Sequence, residues 1–123
     1  MVQVQAPTVQ IDFFGSNPPG EATRYIVGRQ TNKLVEAILR DIEEYSLKIN
    51  LKEKALAQLY NLIVCVEAKI QPHVEKILRQ IVYKLILDEE QQIAHRVQKI
   101  TELLGLYIPT EYLIPLIISH LTD

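Results

Sequence analysis

Three histidines and a single cysteine are the residues of this 123-residue chain whose chemistry most invites a functional test. His73, His95 and His120 lie far apart, and no cysteine or carboxylate accompanies them at ligand spacing. A zinc site needs four nitrogen, sulfur or oxygen ligands supplied as short-range pairs, so this pattern holds none. Cys65 stands between Val64 and Val66, and no neighbour in sequence would favour its thiolate. It reads as a buried, inert thiol. A lone cysteine cannot close an internal disulfide, which fits a reducing compartment. Gly15, Gly20 and Gly28 match neither GxxxxGK[ST] nor GxGxxG, and HExxH and GxSxG are absent. The residues therefore predict a non-catalytic protein with no metal and no cofactor.

Composition narrows the function classes further. Apolar residues make up 48% and charged residues 23%, values of a folded domain rather than a disordered one. The net charge of -2 and the pI near 5.9 argue against a dedicated nucleic-acid or membrane-surface binder, which would carry a basic excess. The opening MVQVQAPTVQ has neither the basic start nor the apolar run of a secretory signal. No stretch reaches the roughly 18 apolar residues of a membrane-spanning helix.

The elements that position these side chains are helices. Residues 1–21 form an irregular lead-in: GSNPPGE is turn chemistry, with a short strand conceivable at VQVQ (2–5). Val9, Ile11, Phe13 and Phe14 are expected to pack back onto the first helix. From 22 onward the apolar spacing becomes three and four. Leu34, Val35, Ile38, Leu39, Ile42 and Tyr45 predict one helix over 22–45. A second follows over 51–69, with Asn50 as its cap, and a third over 72–87, opened by Pro72. Asp88 is expected to cap a fourth at 89–108, which Pro109 stops. A fifth starts near Thr110.

The helices repeat as pairs. VEAILRDI at 35–42 aligns with VEKILRQI at 74–81 at an offset of 39, with Glu36/Glu75 and Arg40/Arg79 among the identities. The second helices align at 41: Leu56 with Val97, Leu59 with Ile100, Leu62 with Leu103, Ile63 with Leu104. A loop two residues longer would account for the difference. A third copy begins at YLIPLII (112–118). Two helices per period of about 40 residues is the pattern of HEAT-type solenoids. The fold class is thus all-α: antiparallel helix pairs stacked as a HEAT/armadillo-like solenoid of about five helices, over 22–69, 72–108 and a truncated third unit from 110. A non-repetitive helical bundle with a chance match is the alternative. The third unit lacks a second helix, so Leu113, Leu116, Ile117 and Leu121 predict a longer solenoid or self-association through that end.

Two polar groupings follow from this architecture. An acid in the turn and a base on the second helix often pair within or between such repeats, which singles out Asp88 and Arg96. The outward rows of the second helices, Lys54, Gln58 and Asn61 in one unit and His95, Gln98, Lys99 and Glu102 in the next, are the candidate protein-binding surface. Taken singly, each of these is more simply a solvated residue.

Residues 22–121 also carry a family resemblance. Asp88-Glu89-Glu90, Glu102-Leu103-Leu104-Gly105, Tyr107-Ile108-Pro109 and Glu111-Tyr112-Leu113 bear most of it, with Leu39-Arg40-Asp41-Ile42 upstream. In these the chain resembles the axonemal dynein assembly factor 5 family, cytoplasmic HEAT-repeat proteins that pre-assemble the dynein arms of cilia and flagella. The resemblance implies a scaffold that binds axonemal dynein chains, other assembly factors or chaperones. It brings no catalytic motif. A generic HEAT/armadillo adaptor for another client and an RNA-binding helical-repeat module are the competing readings.

Overall fold

Each helix exists because its aliphatic residues recur on one face and find a neighbour to cover them. The structure, a computed structural model, describes residues 21–122. The expectations for 1–20, including the short strand and the packing of Val9, Ile11, Phe13 and Phe14, fall outside the described residues. All described elements are helical: α1 (Glu21–Arg29), α2 (Thr31–Glu44), α3 (Ile49–Val66), a 3-10 segment (Glu67–His73), α4 (Val74–Ile77), a π turn (Leu78–Val82), α5 (Tyr83–Leu85), α6 (Gln91–Tyr107) and α7 (Thr110–Thr122).

The expected helix over 22–45 is two helices. The chain breaks at Gln30, whose N–H bonds the Val27 carbonyl at 3.0 Å. Gly28 weakens the helix there. The Thr31 hydroxyl then donates to the Gly28 carbonyl at 2.9 Å, satisfying a group that the break releases. Helix α3 starts at Ile49, so Asn50 lies inside it, and Lys48 occupies the cap without a side-chain bond. Asp88 does not cap α6 either. Its Oδ1 accepts the Glu90 N–H at 2.9 Å, a local turn, and Glu90 takes the cap with extended backbone. Pro72 sits in the 3-10 segment, before α4 rather than at its first position. Pro109 caps α7, its carbonyl accepting the N–H groups of Tyr112 and Leu113 at 3.0 and 3.1 Å.

The repeat is real in three dimensions. Val35, Ile38, Leu39 and Ile42 are buried, and so are Val74, Ile77, Leu78 and Ile81 one unit later. On the second helices Leu56, Leu59 and Ile63 match Val97, Ile100 and Leu104, all buried; Leu103, opposite Leu62, is only partly covered. Helix α2 packs on α3, and α3 packs still more extensively on α6. The largest contact between any two single helices thus joins the two units. These residues form one continuous core.

The two-residue difference between the helix offsets is not all in the loop. Lys48 N–H bonds the Tyr45 carbonyl in the first turn, and Asp88 N–H bonds the Leu85 carbonyl in the second. These equivalent turns are offset by 40, between the 39 of the first helices and the 41 of the second. A π turn closes one residue later than an α turn, so Leu78–Val82 absorbs one extra residue inside the helix. The loop before α6 takes the other.

Ile77 and Leu59 are fully buried at these interfaces. Truncating either to alanine should lower the unfolding free energy by about 2–5 kcal/mol in urea titrations followed by circular dichroism. A loss below about 1 kcal/mol would show that the stack is loosely packed there.

Candidate protein-binding surface

The polar groups nearest the core set how the units sit against each other. Lys52 and Glu53, consecutive on α3, each find a partner one unit later. Lys52 Nζ lies 3.8 Å from Asp88 Oδ2, and Arg96 Nε donates to Glu53 Oε2 at 3.2 Å. Asp88 and Arg96 thus each take a partner across the repeat boundary, the between-repeat arrangement that acid-in-turn and base-on-helix reasoning allows. Each reaches back to α3 and clips its own unit to the preceding one. The signal was present in the sequence as charges of opposite sign about one period apart. Lys52 is buried and the Glu53–Arg96 side chains are each about a quarter exposed, so both clips lie at the interface margin. On the side of the first helices, His73 Nε2–H donates to Asn32 Oδ1 at 2.7 Å. Desolvation and the nearby Lys76 hold His73 below the ordinary histidine pKa and so favour the neutral ring, against the pull of Glu36, which favours the charged one.

The proposed surface rows are mostly where helical geometry puts them. Lys54, Gln58, His95, Gln98 and Glu102 are exposed. Lys99 is half-buried, with its ammonium 3.7 Å from Glu102 Oε1. Asn61 is the correction: only 5% of it is exposed. Its equivalent on α6, Glu102, is open to solvent. The physical reason is position in the stack. Helix α3 is flanked by α1, α2 and α6, whereas α6 has no further unit beside it among the described residues.

Arg24, which sequence reasoning passed over, belongs to the covering of α3. Its Nη1 donates to the carbonyls of Cys65 and Val64 at 3.3 and 3.5 Å and lies 3.4 Å from Glu67 Oε2. These carbonyls are the unpaired acceptors of the α3 C-terminus, where a cation is favoured. Glu67 follows with φ 53°, a left-handed backbone that costs a non-glycine residue energy. Beside it, Cys65 is buried. Desolvation pushes its thiol up to about 11 despite the opposing field of Arg24, so the group is unreactive.

At the other end of the stack, α7 buries none of its residues fully. Leu113 and Leu116, expected on its uncovered face, pack against the core instead. The exposed stripe is Ile114, Ile117, Ile118 and Leu121. His120 stacks on Tyr83, ring centroids 3.8 Å apart. Among the described residues no three His, Cys, Asp or Glu converge on a point that could hold a metal ion, and no helix is long and apolar enough to cross a membrane.

A family model described as "Dynein axonemal assembly factor 5, HEAT-repeat domain" matches residues 14–123. The chain belongs to the dynein axonemal assembly factor 5 HEAT-repeat family. It is 31% identical over 107 residues to Dynein axonemal assembly factor 5 of Xenopus laevis. That match covers 87% of this chain and 12% of the relative, so the chain spans a small part of the length of the protein it resembles. No solved structure matches the chain. In this HEAT-repeat family member, the paired units and the α3–α6 contact are the stacking expected of the fold, and the clips are its local means of fixing the stack.

Two measurements follow. A double-mutant cycle on Glu53→Ala and Arg96→Ala should return a coupling of about 0–1 kcal/mol, as for a partly exposed ion pair. Coupling well above that would mean the clip contributes to stability as well as to geometry. At neutral pH the Cys65 thiolate should be about 100-fold scarcer in the folded chain than in the unfolded one, so maleimide labelling should be slow until urea is added. Labelling at equal rates in both states would contradict the burial.

Proposed function

We propose that this chain is a non-catalytic scaffold segment that acts in the cytoplasmic pre-assembly of axonemal dynein arms by holding protein partners. The observation that carries this reading is the family match over a stack whose second helices keep an open polar row. Lys54 and Gln58 on α3 continue into His95, Gln98, Lys99 and Glu102 on α6. Clipped units hold these side chains at fixed spacing, which reduces the ordering cost of binding a folded partner. The residues mix both signs of charge and carry no nucleophile, so they suit recognition of another polar protein surface better than reaction with a small molecule. The partners on this reading are axonemal dynein chains or the assembly factors and chaperones that accompany them. A protein of this kind acts by geometry: it brings clients together on a rigid, curved platform.

The test is capture of axonemal dynein heavy and intermediate chains by the tagged chain. A triple variant, Lys54→Glu, His95→Glu, Lys99→Glu, serves as the control that should leave the fold intact. Enrichment by the native chain that falls several-fold in the variant is the expected result. Equal recovery by both would place the contact elsewhere, and no recovery by either would reject dynein chains as clients of this segment.

A further inference from the structure

We infer that the edge of the stack formed by the two intra-unit turns is a second binding surface, distinct from the polar rows, and that it takes a basic protein segment bearing aliphatic side chains. Leu47 and Leu87 are the most exposed large apolar side chains described, at 94% and 91%. They occupy the same place in their units. Each is the third residue of a turn closed by a backbone bond, Lys48 to Tyr45 at 2.9 Å and Asp88 to Leu85 at 3.1 Å. A leucine left in water forgoes the free energy that burial would bring. One such residue is ordinary on any surface. The same residue type at the same turn position in two successive units is a pattern.

The surroundings make the pattern a surface. The Lys52–Asp88 clip ties the first turn of α3, just after Leu47, to the turn that carries Leu87, so the two leucines share one edge of the stack. Leu51, 42% exposed, adds apolar area at the same end of α3.

Charge identifies the occupant. Glu43 and Glu44 precede the first turn, and Glu89 and Glu90 follow Leu87; all four are exposed, and none is in an ion pair among the described residues. Against them stand Lys48, Lys84 and, one turn back along α2, Arg40, while Lys52 and Asp88 neutralise each other, so the edge keeps an acidic excess. An acidic edge carrying leucines repels anionic lipid and nucleic acid and favours a cationic, apolar protein segment.

The experiment uses the full chain and three synthetic helical peptides: lysine/leucine, glutamate/leucine and lysine/serine. Fluorescence anisotropy should show binding of the first and little of the other two. Leu47→Ser/Leu87→Ser should weaken that binding by at least about tenfold. Glu43→Gln/Glu44→Gln/Glu89→Gln/Glu90→Gln should weaken it and flatten its salt dependence. Because these side chains are in solvent, thermal melts of both variants should match the native chain. Amide shift changes in the native chain should centre on residues 43–51 and 84–90, a readout independent of any variant. The inference is overturned by unchanged affinity in the leucine variant, by equal binding of the glutamate/leucine peptide, or by shifts centred on Ile114, Ile117, Ile118 and Leu121. Leucine-dependent binding of the native chain to phosphatidylcholine vesicles, with no peptide binding, would overturn it in favour of a lipid occupant.

Discussion

A two-helix unit has one apolar stripe on each helix and not enough surface in the pair to bury both. Burial must therefore be completed by the neighbouring unit. In this chain the requirement is met where α3 meets α6, the most extensive helix–helix contact described. Leu56, Leu59, Val97 and Ile100 have no measurable exposure there. Much of the remaining architecture follows from that contact. It leaves the polar rows of both second helices on the outside. It brings the turns to one edge, and it places Lys52 and Glu53 within reach of the next unit.

The polar clips have a different task from the apolar contact. Aliphatic packing is weakly directional, so two stripes can meet over a range of twists. An ion pair with one partner in a turn and one on a helix restricts that range. Lys52–Asp88 and Glu53–Arg96 act on the side of the second helices, and His73–Asn32 acts on the side of the first. Together they fix the relation of two units from both flanks, at little gain in stability. The relation of the two units is thereby restrained by polar residues near the seam rather than by those of the outward rows.

The sequence made the repeat and its core legible because aliphatic periodicity is a local signal. VEAILRDI and VEKILRQI announce two equivalent helices, and their apolar positions are buried as read. What depended on a residue's place in the stack was not legible. Asn61 and Glu102 are equivalent by alignment, yet one is buried and the other open, because α3 is an interior helix and α6 is not. Asp88 and Arg96 were recognisable as structural charges, but their partners lie 36 and 43 residues upstream and are found only once the units are stacked. Arg24 carried no motif at all; its role appears when α1 is laid across the end of α3. The break at Gln30 was readable in principle from Gly28 and Thr31, since a weak helix former followed by a hydroxyl at three residues marks a place where a helix can end.

The π turn at Leu78–Val82 decouples chain length from phase. Residues before it keep step with the preceding unit at one offset, and residues after it keep step at another, without rotating the outward rows. An insertion inside a helix would ordinarily turn everything downstream by about 100° and carry core residues into solvent. Here the extra residue is looped into the helix wall and the slip ends there. Units of an array built this way need not be equal in length to stay in register, and a solenoid can drift in sequence length while its surface stays aligned.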